Sequence, residues 1–416
     1  TEDFGMYNES CIINAKLNIL SDNNDINSDI ILSGFIFICD GKINKIGDMQ
    51  SLDRTILERC KKVFDAKGCS AYPGFIDAHT HMGLFESGLD FEGNDGNENT
   101  EPITPTLRAL DGVNPQDKYF IEALHAGVTT VLVSPGSANP IAGQIFAIKT
   151  YGERVDDMIV KNPVAMKFAL GENPKSVYHD KGKTPITRMA ITALIRETLF
   201  KAKNYFNAKK LAKENPNHYD NPEFDFALES MCPLFEKKMQ AHFHAHRCDD
   251  IFTAIRIAKE FNLDYVLVHA TEGHLIAKHL HDENAKVLSG PFLSDRSKPE
   301  LTNLTSQSVG ILSNANVQTA IITDHPETPI QYLPMCATIA VRDGMDSLKA
   351  IKSITCNTAK ICGLYDKIGS LETGKDADIV LFKSDPLNSM EKPLAVWCKG
   401  ILTVNNYIDK EKSNDL

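Results

Sequence analysis

The stretch Tyr72-Pro-Gly-Phe-Ile-Asp-Ala-His-Thr-His81 places two histidines at strand spacing behind a short apolar run. Side chains at positions i and i+2 of a strand point to the same side, so His79 and His81 can offer two imidazoles to one cation. Pro73-Gly74 precedes the run and Gly83 follows it, which is typical of a buried strand that ends beneath a loop. The stretch therefore predicts half of a metal site.

This motif resembles the amidohydrolase superfamily, whose first barrel strand ends in a PGFID-x-H-x-H sequence of the same form. Within the superfamily the chain is most similar to the imidazolonepropionase-like and dipeptidase-like branch. The segments Pro135-Gly-Ser-Ala-Asn-Pro140, Gly171-Glu-Asn-Pro-Lys175, His244-Ala-His-Arg247 and Thr323-Asp-His-Pro326 resemble an uncharacterised group within that branch. The resemblance implies a metal-dependent hydrolase.

Composition limits the possible partners. The formal charge of -11 gives no basic stripe for nucleic acid, and no apolar run approaches the ~20 residues that a membrane helix needs. We therefore expect a small-molecule substrate. The ten cysteines form no CxxC pairs, which indicates reduced thiols and a cytoplasmic location.

The 416 residues suit an α/β fold in which a TIM (β/α)8 barrel carries a second, smaller domain. Residues 11–65 show short alternating apolar runs and an Asp40-Gly41 turn, which predict β-hairpins. Strand-like segments then alternate with helical ones from Phe75 to about Leu364, and this alternation favours a parallel barrel. We predict its strands at residues 128–133, 164–169, 242–246, 265–269 and 319–323, with a helix from Asp249 to Phe261.

Gly-punctuated strands return in residues 368–382. The superfamily resemblance implies that both chain ends together build a discontinuous β-sandwich. We therefore predict a composite β-sandwich domain from residues 1–70 and 366–416, and a barrel from residues 71–365.

Two insertions interrupt the barrel pattern. Residues 84–117 are rich in Asp and Glu, with no Lys or Arg before Arg108, and should lie over the catalytic face as a solvated loop or as a substrate clamp. A lysine-rich segment at about residues 200–240 is expected to form a helical excursion with a turn at Asn215-Pro216. Its predicted role is packing or contact within a homo-oligomer.

Further metal ligands should follow later strands, since barrel active sites form at the carboxyl ends of the strands. Glu172 follows Gly171 at a strand exit and is the preferred candidate on the fourth strand. Lys167 is the alternative, because many superfamily members use a carboxylated lysine there to bridge two metal ions.

Three histidines lie on one face of the next strand, in Gln240-Ala-His-Phe-His-Ala-His246. Burying three imidazoles requires three sets of partners, so such clustering is rarely structural. The resemblance places the ligand in the HAHR segment, with His244 preferred, His246 as the alternative and His242 deeper in the barrel. His269 closes the sixth strand and is the next predicted ligand, whereas His274 is expected at the surface.

Asp324 closes an apolar strand, and an aspartate is costly to bury there unless it meets a cation or a hydrogen-bond donor. We predict that Asp324 is both a metal ligand and the general base; an N-cap aspartate is the alternative. The nitrogen and oxygen ligands fit one or two Zn²⁺ ions, with Mn²⁺ or Fe²⁺ possible.

Residues expected to contact the substrate lie on the loops above these strands. The Ser134–Pro140 segment and the residues after it offer backbone and side-chain amides. The cationic candidates can equally form structural ion pairs. The set comprises Ser137, Asn139, Gln144, Arg188, Arg247 and His325.

The expected reaction is hydrolysis of a cyclic amide, N-acyl or peptide-like C–N bond by a metal-activated water, with Asp324 as general base. The first alternative is a deaminase of a nitrogen heterocycle. Deaminases of the superfamily resemble a pattern with Glu three residues after the fifth-strand histidine, where this chain has Arg247 or Asp249. The second alternative is a non-catalytic scaffold, which would have lost its metal ligands.

Overall fold

The computed structural model describes residues 9–22, 29–388 and 390–407, and these residues build two separate sheets of eight strands each. One sheet is built from both ends of the chain, and the other is a nearly closed barrel. This is the predicted α/β architecture.

The first sheet begins with a series of short strands and one helix. They are β1 (Ser10–Asn18), β2 (Ile30–Cys39), β3 (Lys42–Asp48), α1 (Arg54–Arg59), β4 (Lys62–Asp65) and β5 (Ser70–Pro73). The predicted hairpin joins β2 to β3 through Asp40 and Gly41, which have φ values of 52° and 74°. Positive φ at both central residues is what a type I′ turn requires, and Asp-Gly supplies it at low cost.

Side chains of β2 alternate between the two faces of this sheet. Phe35 and Phe37 pack with Cys11 and Ile56 in one buried cluster. Ile36 and Ile38 lie in a different cluster. This period of two keeps the sheet apolar on both faces.

The barrel strands follow one another around the sheet in chain order. They are β6 (Phe75–Thr80), β7 (Val128–Val133), β8 (Ile141–Lys149), β9 (Ile159–Ala169), β10 (Gln240–Ala245), β11 (Tyr265–His269), β12 (Lys286–Ser289) and β13 (Gln318–Ile321). A parallel bridge between Thr80 and His325 brings the end of β6 next to the segment after β13. The first and last strands therefore meet at the carboxyl edge.

The barrel departs from the predicted all-parallel pattern at β8. This strand pairs antiparallel with both β7 and β9, whereas the other neighbouring barrel strands are parallel. Only residues 134–140 separate β7 from β8, and a connection this short cannot carry a parallel crossover. The sequence prediction also missed β12, which has only four residues.

Helices surround the barrel. They are α2 (Lys118–His125), α3 (Val155–Met158), α4 (Glu172–Asp180), α5 (Arg188–Glu214), α6 (Phe226–Phe235), α7 (Cys248–Glu260), α8 (Ala277–Asp282), α9 (Ser308–Asn314), α10 (Leu333–Arg342), α11 (Ser347–Lys352) and α12 (Cys356–Ile361). Among the residues that the structure describes, no helix is long and apolar enough to cross a bilayer.

The predicted helical excursion corresponds to α5 and α6. Helix α5 is 27 residues long and ends just before Asn215-Pro216, as the turn prediction requires. The two helices are joined by Glu229 of α6, whose carboxylate lies 2.6 Å from Lys209 Nζ and accepts a hydrogen bond from Tyr205 Oη at 2.9 Å. A role of this pair of helices in oligomer contacts stays a prediction.

The chain returns to the first sheet in β14 (Ile379–Phe382), β15 (Ala395–Cys398) and β16 (Ile401–Asn405). Strand β14 pairs with β5, so the two chain ends share one sheet as predicted. Lys149 at the end of β8 is buried and forms ion pairs with Asp376 at 2.9 Å and with Asp378. This contact ties the barrel to the composite sheet.

Candidate metal centre

The end of β6 and the segment after β13 bring three predicted ligands together. Asp324 Oδ1 lies 3.2 Å from His79 Nε2 and 3.4 Å from His81 Nε2. The three side chains could hold one metal ion. Asp324 has φ 52°, a left-handed backbone conformation that is uncommon for non-glycine residues.

Asp77, to which the sequence prediction assigned no role, is hydrogen-bonded to both segments that carry this group. Its Oδ1 accepts a hydrogen bond from the backbone N–H of His79 at 3.1 Å. Its Oδ2 accepts hydrogen bonds from Thr323 Oγ1 at 2.6 Å and from the Thr323 backbone N–H at 3.1 Å. One fully buried carboxylate therefore fixes both strand ends, and its burial raises its pKa to about 7. The sequence feature that could have revealed Asp77 is its position inside the otherwise apolar run 75–78.

A second group comprises His244, His246 and His269, which we call the second histidine cluster. These residues could together hold another metal ion. The ring of His269 lies 4.5 Å from that of His244 and 4.6 Å from that of His246, centroid to centroid. His269 also lies 5.3 Å from His79, so the two groups are adjacent. The structure brings both alternatives for the fifth-strand ligand into the cluster.

Four of the five imidazoles in the two groups are oriented as metal ligands usually are, whereas His79 Nδ1 has no hydrogen-bond partner among the described residues. His81 Nδ1 donates to the Ser134 carbonyl at 2.7 Å, and His269 Nδ1 donates to the Gly290 carbonyl at 2.8 Å. His244 Nδ1 is hydrogen-bonded to Ser137 Oγ at 2.9 Å, and His246 Nδ1 to Thr271 Oγ1 at 2.8 Å. A hydrogen bond at one ring nitrogen fixes the tautomer and leaves Nε2 available for a cation.

Electrostatics favour neutral imidazoles here. Burial lowers the pKa of His79, His244 and His246 well below the ordinary value, and that of His269 to about 4. Burial alone would raise the pKa of Asp324, but the facing imidazoles hold it well below its usual range. Neutral imidazole and ionised carboxylate are the forms that bind metal.

The two candidates on the fourth barrel strand lie in different places. Lys167 of β9 is fully buried, and its Nζ lies 3.2 Å from His79 Nε2. Burial lowers the pKa of Lys167 to about 7. Glu172 lies at the start of α4, where its carboxylate accepts a hydrogen bond from the backbone N–H of Glu300 at 3.2 Å. Glu172, the preferred candidate, is thus hydrogen-bonded to Glu300. Lys167, the alternative candidate, lies beside His79.

Two further histidines lie as predicted outside the metal-ligand groups. His242 lies two residues deeper in β10, where its Nε2 is 3.3 Å from Gln240 Oε1. Burial lowers the pKa of His242 to about 3. His274 lies beyond β11, and its ring nitrogen Nδ1 donates to the Thr271 carbonyl at 3.0 Å.

Several predicted substrate contacts serve other partners. Asn139 donates to the Glu98 carbonyl at 2.6 Å and accepts from Tyr178 Oη at 2.7 Å. Ser137, described above, orients His244. For Gln144, the structure gives a backbone N–H that donates to the Leu107 carbonyl at 2.7 Å. These residues hold the rim of the site together.

The cationic candidates are engaged in ion pairs. Arg188 Nε lies 3.0 Å from Asp250 Oδ1, and Arg247 lies 2.9 Å from Asp249 Oδ2. Both arginines thus form ion pairs within the protein, which was the alternative to substrate binding for each of them.

His325 is buried beside Asp324. Its Nδ1 accepts from the Ile330 backbone N–H at 3.1 Å, and its ring packs edge-on against Tyr119 at 4.2 Å. Its Nε2 is buried without a hydrogen-bond partner among the described residues.

The acidic loop 84–117 contacts the residues that border the site. The Gly136 N–H donates to the Gly96 carbonyl at 2.7 Å, and the Ala138 N–H donates to Asn97 Oδ1 at 3.1 Å. Phe85 packs edge-on against His81 with ring centroids 5.3 Å apart. The loop is therefore attached to the 134–140 segment and touches a predicted ligand.

The donors present fit divalent metal ions. His244 Nε2, His269 Nε2 and Asp324 Oδ1 are buried without a hydrogen-bond partner within the described ranges. Leaving several polar atoms buried and unpaired costs free energy that a bound cation would recover. Imidazole nitrogen and carboxylate oxygen are ligands that Zn²⁺ accepts, and the donor set by itself does not select among Zn²⁺, Mn²⁺ and Fe²⁺.

Comparisons with known proteins agree with the fold. Residues 70–404 match the model of the amidohydrolase family. The chain is similar to an amidohydrolase from Thermotoga maritima MSB8 of known structure, with 39% identity and a TM-score of 0.88, over 95% of this chain and 100% of that one.

More distant relatives include the imidazolonepropionase of Colwellia psychrerythraea, which is 26% identical over 411 residues, 90% of each chain. The amidohydrolase tasK of Hapsidospora irregularis is 27% identical over 362 residues. That match covers 81% of this chain but 37% of tasK, so the chain spans little more than a third of that relative.

Proposed function

Because this chain belongs to the amidohydrolase family of hydrolases, we propose that it cleaves a C–N bond in a small cyclic amide, N-acyl compound or peptide-like substrate. The observation that carries the proposal is the position of Asp324 Oδ1, which lies within 3.4 Å of both imidazoles of the HxH pair and has no hydrogen-bond partner in the described part of the chain. A carboxylate in this position can both hold a cation and exchange a proton with a neighbouring water.

A divalent cation bound by His79, His81 and Asp324, with the second histidine cluster beside them, would acidify a water molecule and polarise the scissile carbonyl. Asp324 then accepts the proton of the attacking water and passes it to the departing nitrogen. Lys167, with a pKa lowered to about 7, can be neutral at working pH, which either direct ligation or carboxylation of the amine requires. We propose Zn²⁺ as the first choice of metal.

The deaminase alternative gains no support from the site. Arg247, three residues after His244, is exposed and paired with Asp249, so neither residue offers a proton shuttle above the histidines. The scaffold alternative predicts eroded ligands, yet His79, His81 and Asp324 lie in one group that could hold a metal ion, and His244, His246 and His269 lie in another.

One experiment tests metal and chemistry together. The purified chain is treated with a chelator, reloaded with Zn²⁺, and analysed for metal content and for hydrolysis of dipeptides, N-acyl amino acids and cyclic amides. We expect at least one ion per chain and hydrolysis that is lost with the chelator and restored by the metal. Ammonia release from purines without C–N hydrolysis of the other substrates would favour the deaminase. Metal-free protein with no hydrolysis would favour the scaffold.

A further inference from the structure

The loop after β12 brings one more carboxylate against the second histidine cluster. Glu300 follows Lys298-Pro299, and its side chain is 0% exposed. Its Oε1 lies 3.6 Å from His246 Nε2 and 4.0 Å from His244 Nε2. The sequence prediction did not include this residue.

The two oxygens of Glu300 have different surroundings. Oε2 accepts a hydrogen bond from the backbone N–H of Glu172 at 3.0 Å, and the Glu300 N–H donates to the Glu172 carboxylate in return. This reciprocal pair fixes the side chain. Oε1 is left facing the imidazoles and receives no hydrogen bond of good geometry from any residue that the structure describes.

Lys298 is the competing partner for Oε1. Its Nζ lies 2.8 Å from that oxygen, and it also donates to Asn173 Oδ1 at 2.6 Å. The Lys298 side chain is 26% exposed, so it can keep the contact with Asn173 and water if a cation takes Oε1. The Glu300 carboxylate is 0% exposed, so without Lys298 its Oε1 cannot turn to water and would need a cation in its place.

The spacing suits shared coordination. Ligand atoms at about 2.0–2.2 Å from one zinc ion in tetrahedral geometry lie roughly 3.3–3.6 Å apart. The two separations from Glu300 Oε1, 3.6 and 4.0 Å, are near this range. His244 Nε2 is itself buried without a partner in the described part of the chain.

We propose that Glu300 is a direct ligand of a divalent cation held by the second histidine cluster, giving this position its own carboxylate independently of Lys167. The inference rests on the metal-dependent hydrolysis proposed above. It predicts two cations per chain, one at His79, His81 and Asp324 and one at the second histidine cluster with Glu300.

The test is a crystal structure of the Zn²⁺-loaded wild-type chain with anomalous scattering measured at the zinc edge. We expect two zinc peaks and a Glu300 oxygen at about 2.0–2.2 Å from the second one. A Glu300 carboxylate that stays on Lys298, more than about 3 Å from any zinc peak, would overturn the inference. Because this measurement needs no variant, loss of folding cannot confuse it.

Zinc titrations of matched variants provide a second measurement. Glu300→Gln is expected to lose about one zinc per chain, whereas Glu172→Gln, which changes the neighbouring carboxylate, should keep two. Lys298→Met should keep two as well, and bind the second at least as tightly, because it frees Oε1. Loss of the second zinc in Lys298→Met but not in Glu300→Gln would contradict the proposal.

Failure of the Glu300 proposal can be distinguished from failure of the proposed function. A single zinc at His79, His81 and Asp324, together with metal-dependent C–N hydrolysis, would leave the function standing and refute the role of Glu300. A wild-type chain that binds none of Zn²⁺, Mn²⁺ and Fe²⁺ would refute both.

Discussion

Asp324 combines an unusual backbone conformation with a central position between two imidazoles. Its φ of 52° lies in the left-handed region, where Asn and Asp are the non-glycine residues most readily accommodated. His269, at the end of β11, has φ 71°. Two predicted ligands in sparsely populated conformations at two strand ends indicate that the surrounding barrel holds them in place.

We expect Asp324→Asn to reduce kcat by about 10²- to 10⁴-fold, because Asn cannot accept the proton of the attacking water. Asn also tolerates the left-handed backbone, so the thermal unfolding midpoint should change little. Steady-state kinetics on the substrate found in the screen will check this. Asp180→Asn, at a side chain 79% exposed, is the matched control and should keep full activity. Full turnover by Asp324→Asn would exclude its role as general base.

The buried Lys167 predicts a specific pH dependence of stability in the metal-free protein. Its pKa is about 7 in the folded chain and about 10.5 ordinarily, so between these values the unfolded chain binds a proton that the folded chain does not. Stability therefore rises with pH across this window. The Lys167→Met variant has no ammonium group, so this pH-dependent contribution to stability is absent from it.

The thermal unfolding midpoint of Lys167→Met should therefore exceed that of the wild type. This difference should be largest near pH 7 and shrink towards pH 10. Differential scanning fluorimetry of chelator-treated protein at intervals across that range measures it. A gap that is constant from pH 7 to pH 10 would show that the ammonium is not disfavoured by burial.

Among the structural elements, β8 and its preceding connection shape the rim of the site. The 134–140 segment carries Ser137, which orients His244, and it receives the acidic loop through Gly96 and Asn97. A Cβ at Gly136 would lie 2.3 Å from the side-chain amide atoms of Asn97. A side chain fits there only if the Asn97 side chain, which is hydrogen-bonded to the Ala138 N–H, or the loop itself moves.

Gly136→Ala is therefore expected to displace the loop 84–117 and to raise KM by about tenfold, equivalent to about 1.4 kcal/mol, with a smaller effect on kcat. If the clash with Asn97 is the cause, adding Asn97→Ala should not worsen the defect, which a double-mutant cycle measures. Additive losses in the double variant would mean that the loop is not displaced through this contact.

The molecule as a whole is held together by contacts between the barrel and the composite sheet. Lys149 is buried where β8 ends and neutralises Asp376 and Asp378 next to β14. Its pKa is raised, because the two carboxylates outweigh the effect of burial. Removal of one member of a buried charge group leaves the others uncompensated.

Lys149→Met should destabilise the protein by about 3–5 kcal/mol while leaving the zinc content of the folded fraction unchanged. Thermal unfolding and metal analysis of the same samples check both parts. Lys42→Met is the control, because Lys42 lies 4.0 Å from Asp376 with its side chain 57% exposed, and such pairs contribute little. Equal losses in the two variants would show that burial of Lys149 is not the cause.

The extent of sequence prediction differs between the fold and the site. Alternating strands and helices predicted the barrel, and Asp40-Gly41 predicted a hairpin that the structure confirms. The antiparallel β8 escaped prediction, because its apolar residues look the same in either direction. Glu300 escaped because a glutamate after a proline in a polar loop has no distinctive pattern.

The sequence by itself determined the histidine spacing, the closing aspartate and the order in which the strands deliver them, because strand period and apolar runs are local properties. Only the tertiary structure decided that Lys167 rather than Glu172 faces His79, and that Glu300 joins the second histidine cluster. Glu172 lies five positions after Lys167, and both lie near one strand end. Which side chain enters the barrel depends on strand register and on where α4 begins, and these are fixed by packing against neighbouring strands.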